Sequence, residues 1–232
     1  MANKYKIIGI IPARGGSKGI PGKNIRLLAG KPLIHYSVIS ALESRVFDRI
    51  ILSTDSAKIA DSVKMFPIEV PFLRPADMAS DTTPMFSVVK HALESVEKDG
   101  WSADIAVLLQ PTAPLRKAEH IRTAVKMLVN LKCDSVVSVV EVPMHFSPDY
   151  VMRIDGGRLT PFLPGGALIQ RRQDARQAYS RDGTIYALWR STLRNHDNLY
   201  GKDCRPLVIP PEYSCNLDTL EDWKEIEKRI SA

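Results

Sequence analysis

Short apolar runs and longer amphipathic stretches alternate along the first two thirds of the chain. The runs at residues 6–12, 49–54, 69–73, 105–109 and 135–142 are almost continuously apolar. Between them, residues 32–43, 57–65, 85–98 and 118–131 repeat apolar positions at helical spacing. Strands lacking polar alternation, spaced by helices, predict a mainly parallel sheet covered on both faces. In such a sheet the loops beyond the carboxyl ends of the strands hold ligands.

The rhythm breaks after Val142. Residues 143–182 carry four prolines (Pro143, Pro148, Pro161, Pro164) and the turn signal Asp155-Gly156-Gly157. They predict an insertion that stays out of the main sheet. Sheet-like segments return at 184–189 and 206–209, and a last helix is expected over 219–230. The organisation predicted is one α/β domain over 1–232, a three-layer, mostly parallel Rossmann-like sheet, with a small subdomain at 143–182.

A chain of 232 residues is long enough to bury a full core. The apolar run ending at Pro12 is too short for a signal-peptide core or a membrane span, so a cytoplasmic protein is expected. The three cysteines, Cys133, Cys204 and Cys215, are too far apart for a zinc site, which leaves oxygen ligands for any metal. A net charge of +6 with no basic stripe interleaved by aromatics argues for small anionic substrates over nucleic acid.

The run "IIPARGGSKGIPGKNI", residues 10–25, follows the first strand. It matches neither G-x-x-x-x-G-K-[ST] nor G-x-G-x-x-G. Its glycines at 15, 16, 19 and 22 would allow positive φ and close approach to a ligand, making an anion-binding nest. Arg14, Lys18 and Lys23 would add charge enough to neutralise a triphosphate. A solvated strand-to-helix turn is the plainer reading.

Three further loops carry candidate chemistry. In "LLQPTAPLR", residues 108–116, Gln110 and Thr112 would stand at a strand's carboxyl end, as ligand contacts or as a capping turn for the next helix. In "FLRPADMASDTTP", residues 72–84, Arg74 would read a base carbonyl or pair with Asp77. In "CNLDTLEDW", residues 215–223, Asp218 and Asn216 would hold magnesium, or Asp218 with Glu221 would cap a helix.

Taken in order, these motifs resemble the cytidylyltransferases that activate sialic-type acids: the CMP-N-acetylneuraminate synthetases and their legionaminic and pseudaminic acid counterparts. "ARGGSKGIPGKNI", "FDRIILSTD", "RPADMASDTTP" and "LLQPTAPLR" carry the likeness, which returns at "RDGTIY" and "NLDTLEDW". The glycine pair and Asn24 favour this branch over the CMP-Kdo synthetases, whose loop typically reads A-R-x-x-S-x-R-L-P-G-K.

The resemblance implies a nucleotidyltransferase fold with a dimerisation subdomain at 143–182, a homodimer, and Mg²⁺ as cofactor. By it, Arg14, Gly16, Ser17, Lys18, Lys23 and Asn24 would hold CTP, and Arg74 with the backbone at Thr83 would read cytosine. Gln110, Thr112, Arg172 and Gln173 would face the sugar, with Asp218 and Asn216 at the metal. Lys23, Arg14 and Asp218 would carry the transfer of CMP to a nonulosonic acid. Two departures stand out. Asn216 replaces the first acid of a usual acid-x-acid pair, and before the N-G-x-x-Y segment Arg181 stands shifted by one position, with Asp182 in place of the amide. No histidine falls in a matched motif. Rival classes are a non-catalytic nucleotide-binding or regulatory homologue and a nucleotide-sugar glycosyltransferase. The second would bring a D-x-D after a mid-chain strand, which the sequence lacks.

Overall fold

A computed structural model of the chain describes residues 4–17, 19–165, 171 and 174–231. Lys18, Arg172 and Gln173 lie outside the described residues. The elements run β1 (Ile7–Pro12), a small hairpin of β2 (Leu27–Leu28) and β3 (Lys31–Pro32), then α1 (Leu33–Ser44) and β4 (Arg49–Ser53). Next come α2 (Ala57–Ser62), α3 (Met85–Glu97), β5 (Ile105–Leu108), α4 (Ala118–Leu131) and β6 (Ser135–Glu141). The hairpin β7 (Met152–Asp155) and β8 (Arg158–Pro161) follows, then β9 (Tyr179–Trp189), α5 (Arg190–His196), β10 (Cys204–Val208) and α6 (Leu220–Ser231).

Six strands form one sheet in the order β10-β6-β9-β5-β1-β4. β1 pairs in parallel with β4 and β5, and β6 with β10, whereas β9 runs antiparallel to β5 and β6. The reversal fits the connection: among the described residues no crossover helix joins β6 to β9, and the chain returns alongside in the opposite direction.

Period-two alternation sorts each strand between two faces. Ile7 and Ile11 pack with Ile34 and Val38 of α1 and Ile121 and Leu128 of α4. Ile8 and Ile10 pack on the other side with Val89, Leu93 and Val96 of α3 and Leu193 of α5. The result is three layers. Among the described residues no helix is long and apolar enough to cross a membrane.

A third cluster lies off the sheet. Ile20 of the glycine-rich loop is fully buried with Leu28, Leu33, Cys215, Leu217 and, from α6, Trp223 and Ile226. Burying one such isoleucine is worth about 1.5–3 kcal/mol. It fastens the loop to the last segment of the chain.

Two sequence expectations are corrected here. Residues 69–73 form no strand; only Glu69 and Leu73 bridge to Ile51 and Thr54 beside β4. Pro71, between them, has no N–H to give the ladder. And the sheet claims the end of the 143–182 insertion, because β9 starts at Tyr179, opposite Glu141. The hairpin inside the insertion does form, and Gly156 and Gly157 turn it at φ 56° and 79°.

Candidate active site

The glycine-rich loop leaves β1 at Pro12 and is held along its length. Ala13 N–H donates to Ser53 O at 2.9 Å, and Gly15 N–H to Asp55 Oδ1 at 2.8 Å. The Asn24 amide closes it, donating to Arg14 O at 2.9 Å. Of its four glycines only Gly22 has positive φ, 64°, where the chain turns into the short helical turn Lys23–Ile25. Gly19 is required for another reason: a Cβ there would meet Asp218 O at 2.4 Å. Freedom at positive φ, expected at all four positions, is therefore used at one.

The charges on this loop have partners. Arg14 forms an ion pair with Asp81, from the loop before α3. Lys23 Nζ donates to Leu217 O and lies 3.3 Å from Asp218 Oδ1. Its side chain is only 13 % exposed, against 62 % for Asp218. The basic loop and the C-terminal segment thus meet through a lysine and a solvent-facing carboxylate.

Arg74 neither pairs with Asp77 nor stands free. It is buried, and its guanidinium donates to Ser53 Oγ and Ser53 O at the end of β4. Burial lowers its pKa; Asp55 opposes that shift and Arg14 adds to it.

Two cavities open at the carboxyl ends of the strands. The first, about 200 Å³, is lined by Arg14, Gly16, Ser17, Lys23, Asn24, Arg74, Gln110 and Thr112, together with Pro12, Met85 and Pro111. The second, about 520 Å³, is bordered by Gln110, Ser180, Arg181, Asp182, Gly183, Tyr186 and Asn216, among others. Gln110 belongs to both. Its main chain makes the turn after β5 while its side chain touches Gly183, where a Cβ would lie 2.9 Å from Oε1. It does not cap α4, whose N-cap is Lys117.

Six of the residues expected at the nucleotide thus share one cavity: Arg14, Gly16, Ser17, Lys23, Asn24 and Arg74. Thr112 lies on that side too, and does not line the larger cavity. Thr83 lines neither; its hydroxyl closes its own loop against Ser80 Oγ and Asp77 O. Asp182 is already satisfied, accepting from Ser138 Oγ, Thr184 Oγ1 and Thr184 N–H. Arg181 donates to Tyr200 Oη and sits over that ring, 5.5 Å from its centroid.

The helix-cap reading of Asp218 and Glu221 is corrected by one residue. Thr219 Oγ1 accepts from Asp222 N–H at 3.1 Å, and Asp222 Oδ2 accepts from Thr219 N–H at 2.7 Å. This is a reciprocal capping box, and its backbone donors hold the Asp222 carboxyl below its usual range. Asp218 is released from capping, and its Oδ2 accepts from the Asn216 amide at 2.5 Å.

Among the described residues no three His, Cys, Asp or Glu side chains cluster to cage a metal. The donor set still suits a hard cation. Asp218 offers an exposed carboxylate that no helix end consumes, beside the basic loop. Mg²⁺ commonly takes one or two carboxylates and completes its shell with phosphate and water oxygens. Asn216 turns its amide nitrogen toward Asp218 Oδ2.

Sequence reading missed Arg116, which stands behind Gln110 at 4 % exposure. A cation closing the turn "TAPLR" reads as a surface charge, and only its long-range contacts say otherwise.

A sheet covered on both faces, with two cavities meeting at Gln110 beyond the carboxyl ends of its strands, places a ligand site where α/β folds bind their ligands. The family model for cytidylyltransferases matches residues 8–198, and the chain belongs to that family. It is 37 % identical over 226 residues to the CMP-N,N'-diacetyllegionaminic acid synthase of Legionella pneumophila, covering 96 % of this chain and 95 % of that one. It is 28 % identical to the pseudaminic acid cytidylyltransferase of Campylobacter jejuni, with 94 % and 93 % covered. Similarity to the N-acylneuraminate cytidylyltransferase of Streptococcus agalactiae is 32 % over 220 residues, 94 % of this chain and 52 % of that longer protein. In fold it resembles a CMP:2-keto-3-deoxy-manno-octonic acid synthetase solved with CTP, at a TM-score of 0.72 and 18 % identity over 97 % of this chain and 98 % of that one.

Proposed function

We propose that this protein transfers CMP from CTP to the anomeric hydroxyl of a nonulosonic acid and releases pyrophosphate. The observation that carries the reading is the junction at Gln110. There a small cavity walled by Arg14, Lys23, Asn24 and Arg74 meets a larger polar one. CTP in the first and the sugar acid in the second would bring the attacking hydroxyl to the α-phosphorus beside Gln110. The names and activities of the similar proteins support the same pair of substrates.

The chain's own residues would act by placement and charge. Arg14 and the loop N–H groups would take the triphosphate, and Lys23 would balance the charge that grows on the departing pyrophosphate. Arg74, buried and fixed by Ser53, would hold the base edge; a site built on that edge rejects UTP by leaving polar groups unpaired. Gln110 would orient the sugar, with Arg172 taking its carboxylate in a bidentate fork. Mg²⁺, held through Asp218 and the phosphates, would supply Lewis-acid neutralisation of phosphate charge.

The homodimer is part of the same reading. Val151, Ile154, Leu159 and Phe162 around the β7–β8 hairpin are 38 %, 76 %, 66 % and 58 % exposed, an apolar surface suited to a second copy. A cytoplasmic setting is also proposed; Cys133, Cys204 and Cys215 are all unpaired, as a reducing compartment would leave them.

A pyrophosphate-release screen with CTP, Mg²⁺ and a panel of nonulosonic acids tests the reaction. Release is expected with at least one acid and is expected to fall at least tenfold with UTP. CTP binding without release across the panel would replace this reading with a non-catalytic nucleotide-binding protein. Light scattering at micromolar concentration tests the dimer, and a fully active monomer would remove it.

A further inference from the structure

We propose that Arg116 is a positioning residue for the larger cavity: one buried guanidinium clamps the Gln110 turn to the Asp182-Gly183-Thr184 bulge of β9, setting the wall that the second substrate meets. The inference rests on the functional reading above for the identity of that substrate.

The bulge creates the need. Along β6 and β9 the register jumps from Val137–Tyr186 to Val139–Arg181, so residues 182–185 leave the ladder. Gly183 turns the chain there at φ 74°. Backbone groups released in this way require other partners when buried. Ile185 N–H finds Ser138 Oγ at 2.8 Å. Thr184 O finds Arg116 Nε at 2.7 Å.

The same guanidinium reaches two more elements. Nη2 donates to Gln110 O at 2.6 Å, and Nη1 to Ser37 Oγ of α1 at 2.8 Å. All three acceptors are uncharged, and among the described residues Arg116 makes no ion pair. Burial pushes its pKa down to about 10, which leaves it charged at neutral pH.

Only a planar fork spans acceptors lying in three directions; an ammonium is a single point. Of the two residues the clamp fixes, Gly183 borders the larger cavity alone and Gln110 borders both, while the hydrogen bonds that hold residues 13–17 come from Ser53, Asp55 and Asn24.

The test is Arg116→Lys, with Ser37→Ala as a milder variant that removes one acceptor and leaves the arginine. In Arg116→Lys, KM for the nonulosonic acid should rise at least tenfold while KM for CTP stays within twofold. Ser37→Ala should shift the first in the same direction by a smaller factor. Amide hydrogen exchange should quicken at residues 182–185 and remain unchanged at 13–17. A merely structural arginine would lower the folded fraction and alter both constants and both segments alike; that result, or no change in either, would overturn the inference. Exchange reads the clamp without any substrate. A wild type that turns over no sugar acid would overturn the functional reading alone, and the exchange pattern would still decide Arg116.

Discussion

The basic cavity and the larger one are walled by different means. Around the first, a loop contiguous in sequence, residues 13–25, is pinned from outside by Ser53, Asp55 and Leu217 and anchored by its own buried Ile20. Around the second, the wall is assembled from short pieces: a turn after β5, a bulge in β9 and residues 214–216. Its polar groups satisfy one another, Asp182 with Ser138 and Thr184. A contiguous wall can be read as a motif. An assembled wall exists only after folding, because its members recognise each other across the chain.

The largest expected effect lies on the contiguous wall. Lys23→Ala should cost about two to three decades in kcat/KM, the scale of losing one strong transition-state contact. Its thermal midpoint should stay near wild type, since Lys23 adds nothing to the core. Near-normal turnover by the folded variant would take Lys23 out of the chemistry.

A paired substitution then separates Asp218 from its neighbour Asp222. Asp218→Asn should abolish turnover at ordinary Mg²⁺ and keep stability, whereas Asp222→Ala should lose about 0.5–2 kcal/mol of stability by uncapping α6 and keep kcat. Measured by a magnesium titration and thermal unfolding, a crossed result would mean that the metal and cap roles have been exchanged.

Gly19→Ala probes the seam between the loop and the C-terminal segment. The added methyl would sit 2.4 Å from Asp218 O, so one backbone must move. A cost of about 1–3 kcal/mol is expected, with a higher KM for CTP and an unchanged KM for the sugar acid. Equal changes in both constants would show that the two walls are not independent.

The smallest effect concerns the base of the insertion. Asp149 is buried and accepts from Arg176 N–H, Nε and Nη2, and that guanidinium holds its carboxyl below the usual range. A depressed carboxyl stabilises the fold above its unfolded value and loses that contribution as pH falls through the folded one. Proteolytic sensitivity of residues 143–178 should therefore rise only below about pH 4, and Asp149→Asn should abolish that dependence. Persistence of the same acid transition in the variant would assign it elsewhere.

How far the sequence could be read follows the same division. β1 and β5 were legible because burial on both faces leaves continuous apolar runs, and α4 because its apolar stripe is regular from Ala118 to Leu131. The strand expected at 69–73 failed on a single residue, Pro71, whose missing N–H outweighed the apolar run around it. The start of β9 was hidden because Tyr179, Ser180 and Arg181 are exposed and therefore look like loop. The cap of α6 shifted because Thr219-x-x-Asp222 has the same spacing as Asp218-x-x-Glu221, and spacing cannot choose between them. Arg116 was illegible for a deeper reason. Two of its partners, Thr184 and Ser37, are 68 and 79 residues away, and no local pattern encodes that they will meet.

The contact between Lys23 and Leu217 joins residues 194 apart in the chain. During synthesis the glycine-rich loop leaves the ribosome long before its floor exists. Until Leu217, Trp223 and Ile226 have also emerged, Ile20 has no pocket to enter and Lys23 no carbonyl to meet. By the proposed function, a chain broken off before Trp223 would keep most of its sheet and still lack the floor on which the CTP-binding loop would rest.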